Sequence, residues 1–242
     1  MSTKLFFFSI VFIIFFTSCK KELITGANDY KTLGTSAKDL LVASPYKLLQ
    51  VQLNYMPGFS PDSTSLNALA TFLNNIINKP HGIQIISTEI PGSGKPILSL
   101  SDIINIEKKH RTIFTGNEVI GVYILITDAG MSDANTFGKA YWNTSYVIFG
   151  KTIQQQSGAA GQISTQRLLT TVMQHEFGHL LGLVGLGSPM QTPHKDEPFG
   201  SHCNNRQCLM YQNIETSVTN VSANIPQFDA NCLSDLKANG SK

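Results

Sequence analysis

The chain has 242 residues, of which 14% are charged, and a net charge of +2. So even a balance, with no basic stripe along the chain, excludes nucleic acid and highly charged polymers as natural partners. Beyond an apolar first segment about 220 residues remain, enough for one sizeable core of the kind a single catalytic domain needs.

That first segment runs from Lys4 through the apolar residues 5–16 to Thr17-Ser18-Cys19. A short positive start, an apolar run too short to span a bilayer comfortably, and small residues at its end describe a secretory signal over 1–18. The small-small-Cys ending resembles the lipobox of bacterial lipoproteins, with Phe16 where leucine is usual. The resemblance implies that Cys19 becomes the lipidated first residue of an exported protein, anchored to a bacterial membrane on the periplasmic or surface face of the outer membrane. Residues 19–44 are polar and mixed, and read as a tether with a short helix near 37–42.

A single domain is expected over 45–242, with an N-terminal part at 45–183 and a C-terminal part at 184–242. The run 46–55 alternates apolar and polar residues in its latter half as a strand does, and Pro57-Gly58 closes it. Asp62 or Ser63 caps a helix through Leu66, Leu69, Phe72, Leu73, Ile76 and Ile77, stopped by Lys79-Pro80. Residues 82–89 form a second strand, and a helix starts at Ser101-Asp102 with Ile103, Ile104 and Ile106 on its buried face. The apolar run 119–127 has the length and character of a central strand. Asp128, Asp133 and Asn135 occupy a loop that suits either a plain turn or a calcium ion. One strand is expected over 138–149, then a flexible connection at 154–161 and an amphipathic helix from 165 to 183. The alternation describes an α/β fold, with helices packed on a mixed, twisted sheet. After Met210 the chain is rich in Asn, Ser and Thr until Asp229 caps a last helix through Leu233 and Leu236.

The helix at 165–183 carries His175-Glu176-Phe177-Gly178-His179. Histidines four apart project from one helix face, one turn apart, close enough for both to reach a single zinc ion. The glutamate between them is placed to take a proton from a water that the metal activates. Gly182 can end the helix and turn the chain back beneath the metal. Downstream stand His202-Cys203, then Cys208-Leu209-Met210-Tyr211.

The pattern HExxHxxG, a later histidine, and a methionine eight residues after it resembles the metzincin clan of zinc endopeptidases. His-Cys-x4-Cys-x-Met is similar to archaemetzincins and Leu-Met-Tyr to matrixins. The resemblance implies His175, His179 and His202 as ligands of one zinc, Glu176 as general base, and Met210 as the Met-turn residue beneath the metal. It also implies a zinc helix in a cleft whose upper rim is the strand before it, which holds an extended protein or peptide substrate by main-chain pairing. The C-terminal part is then small and irregular, ending in a helix, and the protein a monomer.

The chain departs from the family at Gly185, where the third histidine of HExxHxxGxxH normally stands. A Gly- and Pro-rich insertion over 184–201 delays that ligand to His202, with His194 as the other candidate; His194 also suits a loop histidine capped by Asp196, or a metal clamp with Asp196 and Glu197. If both histidines closed the metal, a latent or adhesive zinc lipoprotein would replace the enzyme. An exported location favours a Cys203–Cys208 disulfide, leaving Cys232 as the odd thiol. Archaemetzincins carry a second zinc in a four-cysteine site that begins with the same Cys-x4-Cys; here Cys232 alone represents its distal pair, with Asp229 in place of the other member.

Overall fold

A computed structural model describes residues 26–218 and 224–242. The expected signal segment and the lipid-accepting Cys19 lie outside the described residues. Among the latter, no helix is long and apolar enough to cross a membrane. The elements follow in chain order as α1 (Ala37–Leu41), β1 (Leu48–Tyr55), α2 (Ser63–Ile76), β2 (Ile83–Glu89), α3 (Leu100–His110) and β3 (Val119–Thr127). They continue as β4 (Gly138–Trp142), β5 (Ser145–Phe149), α4 (Gly150–Gln155), α5 (Thr165–Leu180) and α6 (Ala230–Ala238).

The strands form one five-stranded sheet in the order β2-β1-β3-β5-β4, parallel except for β4, which lies antiparallel on the edge. β3 is central and covered on both faces, which is why its sequence runs apolar without a break. Ile120, Val122, Ile124 and Ile126 pack with Leu69 and Leu73 of α2 and with Val172 and Phe177 of α5. Tyr123 and Leu125 turn the opposite way and pack against Ile103 of α3. Capping follows side-chain chemistry: Asp62, Ser164 and Asp229 each accept a backbone N–H in the first turn of α2, α5 and α6. The cap of α3 is Ser99, not Ser101 or Asp102; Asp102 instead answers Ser99 as the third residue of a capping box.

Two expectations are corrected. The single strand over 138–149 is the hairpin β4–β5, folded at Asn143-Thr144. Its turn has no Gly or Pro signal because distant partners hold it: the Asn143 amide donates to Asn28 O and Ser36 Oγ, both at 2.7 Å, and its Oδ1 accepts the Lys31 N–H. The stretch expected as a tether to residue 44 is part of the fold from residue 29 onward. Leu40 and Leu41 are fully buried, and the buried Lys79 ammonium donates to the carbonyls of Asp39, Val42 and Tyr46. Its polar residues read as a linker because their hydrogen bonds are spent inside the protein.

Asp29 is the centre of that attachment. It is fully buried, lies 3.0 Å from Arg111 Nη2, and accepts hydrogen bonds from Thr115 N and Oγ1. Arg111 also bonds Glu107, and Glu107 accepts the Tyr141 hydroxyl of β4. Removing one member of a buried pair strands the other's charge. Asp29→Ala is therefore expected to lower stability by about 3 kcal/mol, with Glu107 still supporting Arg111. A urea midpoint shift at unchanged slope checks this, whereas a loose tether would give no shift.

Candidate metal centre

Helix α5 starts at Ser164, whose Oγ accepts the Arg167 N–H at 3.2 Å. From Leu168 to Leu180 all of its residues are buried, because the sheet, α2 and the C-terminal part enclose it. The helix ends at Leu180, three residues short of the expected 183. Gly182 follows with φ +76°, and a Cβ there would meet Ala37 Cβ and Ser188 N at 2.6 Å.

His175 and His179 face the same space, with ring centroids 4.9 Å apart. The ring of His202 lies 5.3 Å from the first and 5.1 Å from the second. Each of the three offers a nitrogen, and those nitrogens lie within 4.8 Å of one another. The Leu209 carbonyl stands 2.7 Å from His175 Nδ1 and the Phe199 carbonyl 2.7 Å from His202 Nδ1. A carbonyl can only accept, so both Nδ1 atoms carry the proton and both Nε2 lone pairs remain free. Burial pushes the His175 imidazole down to about 4, and burial with its two histidine neighbours holds His179 well below the usual range. The His175 and His179 rings are thus neutral at neutral pH, which is the form that ligates metal.

Glu176 turns toward β4, where its Oε2 accepts the Ala140 N–H at 2.8 Å. Burial pushes its carboxyl up to about 8, against the lowering effect of that bond and of Lys139. A cation beside it would reverse the shift and restore the carboxylate. The close approach of β4 to α5 requires Gly138: a Cβ there would stand 2.7 Å from Glu176 Oε1 and 2.9 Å from Val172 Cγ1. Gly138→Ala is expected to push β4 away from α5 and lower stability by about 1–3 kcal/mol, read as a shift of the urea midpoint.

Met210 is fully buried, and its Sδ occupies the space a side chain at Gly178 would need. It therefore packs against α5 between the two helix histidines. Sequence reasoning passed over both Gly138 and Gly178; the second stands inside the histidine motif, where only a small residue admits the methionine.

His194 is not a third member of the histidine group. It is buried with its Nε2 2.8 Å from Asp235 Oδ2 and its Nδ1 3.4 Å from Cys203 Sγ. Its carboxylate partner is Asp235 of α6, neither Asp196 nor Glu197. The expected Cys203–Cys208 disulfide is absent: Cys203, Cys208 and Cys232 are all free thiols. Cys208 Sγ lies instead 3.6 Å from Cys232 Sγ, and Cys203 Sγ lies 3.3 Å from Asp229 Oδ2. α6 inserts Cys232 beside the pair and draws the cysteines into a common cluster. His194, Cys203, Asp229 and Cys232 offer ligand atoms within 4.8 Å of one another, a second group able to hold a metal. The loop suggested for calcium holds no such group among the described residues. Asp128 bonds Ser93 N and Oγ, and Asp133 bonds Asn135 N and Thr136 Oγ1, so its acids serve as turn residues.

No protein-family model matches the chain, and no curated protein matches it. Among solved structures, archaemetzincin from Methanopyrus kandleri is similar at 14% identity and a TM-score of 0.51, covering 80% of this chain and 96% of that one. Metalloproteinase-II from Bacteroides fragilis is similar at 18% identity and a TM-score of 0.45, over 92% of this chain and 60% of that one. The chain thus has a mixed α/β fold, a five-stranded sheet with packed helices, similar to that of the archaemetzincin.

Proposed function

We propose that the protein is a zinc-dependent endopeptidase. The observation that carries this is three imidazoles, from His175, His179 and His202, converging beside a buried carboxylate under the edge of a sheet. Lone pairs facing one space, with the Nδ1 protons of His175 and His202 held by the Leu209 and Phe199 carbonyls, repel one another unless a cation lies between them, and all-nitrogen donors suit zinc. Zinc held there would polarise a peptide carbonyl and lower the pKa of a water. Glu176 would orient a water, take its proton and pass it to the leaving amine. The free edge of β4 pairs with the substrate main chain, so an extended peptide is gripped through its backbone. Because His194 faces Asp235 instead of the histidine group, a position remains open for the reaction, which favours the enzyme over the latent reading.

A second zinc fits the cluster of His194, Cys203, Asp229 and Cys232. A histidine whose outer nitrogen donates to a buried carboxylate while its inner nitrogen faces thiols is the usual arrangement around a ligand histidine. Its role would be to join α6 to the segment that carries Met210. Export and anchoring through Cys19 rest on the first nineteen residues alone. The test is zinc per chain together with cleavage of an unfolded-protein substrate by the form beginning at Lys20. Two zinc ions and cleavage are expected; zinc without cleavage would leave a latent zinc-binding lipoprotein.

A further inference from the structure

Beside the histidines, on the side of His179, lies a recess of about 220 Å³. Lys139, Glu176, His179, Ser201 and His202 form its polar wall, and Leu33, Leu186 and Ala140 the apolar one. The two leucines come from the N-terminal segment and from the insertion over 184–201, the parts of the chain that depart furthest from sequence expectation. Both are half-buried, so each keeps apolar surface toward the recess.

Their positions are held by backbone contact. Gly34 has φ +85°, and a Cβ on it would strike the Leu186 carbonyl; one on Gly187 would strike the Gly34 carbonyl. The segment before Leu33 is tied to the β4–β5 turn through Lys31 and Asn143. A wall built this way is formed before any ligand arrives, which is what selectivity requires.

Strand direction then assigns the recess to one side of the cut. Phe137 O and the Lys139–Val147 pair face β5, so the alternate positions 138 and 140 turn their main-chain groups to the free edge, as the Ala140 bond to Glu176 confirms. A peptide added antiparallel to β4 has its amino-terminal side at Ala140 and its carboxyl-terminal side at Gly138. Beyond Gly138 lies a different recess, lined by Thr136, Phe137 and Ile214. Resting on the peptidase reading, we infer that Leu33 and Leu186 form the subsite for the residue on the amino side of the scissile bond and select an aliphatic side chain there. The natural substrates are then unfolded or extended polypeptide segments with Val, Ile, Leu or Met at that position, since a charged side chain would lose its hydration against two leucines.

The test is digestion of a proteome-derived peptide mixture by the zinc-loaded protein, with the new ends read by mass spectrometry. Wild type is expected to favour aliphatic over charged residues on the amino side of the cut by about 10-fold or more. Leu33→Ala and Leu186→Ala should each strip apolar surface from the recess and lower the aliphatic preference there several-fold, and Leu186→Glu should bring in Lys and Arg, with the carboxyl-side profile unchanged. Two variants on separate segments keep the test valid if one misfolds. Cleavage with no amino-side preference, or variants that leave it unaltered, would overturn the subsite alone. A change confined to the carboxyl side would overturn the antiparallel direction. If wild type cleaves nothing, the peptidase reading falls and the subsite with it.

Discussion

Replacing Glu176 with alanine is expected to leave zinc bound and to lower peptide hydrolysis by about 10³-fold or more. The carboxyl touches neither His175 nor His179 through a hydrogen bond, and its own partner is the Ala140 N–H, so the ligand geometry does not depend on it. What is lost is the proton acceptor. Zinc content by elemental analysis and rates on an unfolded protein check both halves; loss of zinc with the carboxyl would show that the residue supports the site rather than the reaction. The same burial predicts a stability signature in the metal-free chain. The Glu176 carboxyl is raised from 4.5 to about 8 in the folded state, so the neutral form's contribution is full below pH 4.5 and is lost as pH rises toward 8. Glu176→Gln keeps the neutral form at every pH. It should be more stable than the metal-free parent at pH 8.5 by on the order of a few kcal/mol, and equal to it at pH 4.5. Urea unfolding in chelator at the two pH values measures the difference.

The second large effect is at the third ligand. His202→Ala should lose the zinc at the histidine group and all cleavage, while the Cys-containing group keeps its metal, so zinc falls from two per chain to one. His194→Ala should also fall to one, yet it should keep cleavage at temperatures where it stays folded, because His194 points at Cys203 and Asp235 instead of at α5. Its cost is stability: Asp235 is left buried with only the Gln191 N–H, a loss of about 3 kcal/mol. If His194→Ala abolished cleavage in folded protein and His202→Ala did not, the assignment of the two histidines would be reversed.

Helix α5 and its motif were readable from the residues because their spacing is local. A 3.6-residue period places His175 and His179 one above the other whatever the rest of the chain does, and Ser164 caps the helix from one turn away. β3 was readable for a similar reason, since an unbroken apolar run of strand length has little choice but the middle of a sheet. The β4–β5 turn was not readable, because Asn143 is held by Asn28, Lys31 and Ser36, more than a hundred positions earlier. The N-terminal segment looked like a tether on composition, yet Asp29 and Leu40 are inside the protein; composition cannot distinguish polar groups bonded to water from polar groups bonded to Arg111 and Thr115.

The sequence by itself determined the helix, the pair of histidines four apart and the glutamate between them, because these depend only on backbone period and side-chain type. Tertiary structure alone decided which later histidine completes the group, why the three cysteines stay unpaired beside His194, and why Gly138 and Gly178 must lack side chains. Those outcomes depend on where loops without any period bring residues from distant segments, and their positions are set by packing against the sheet and α6 rather than by spacing along the chain.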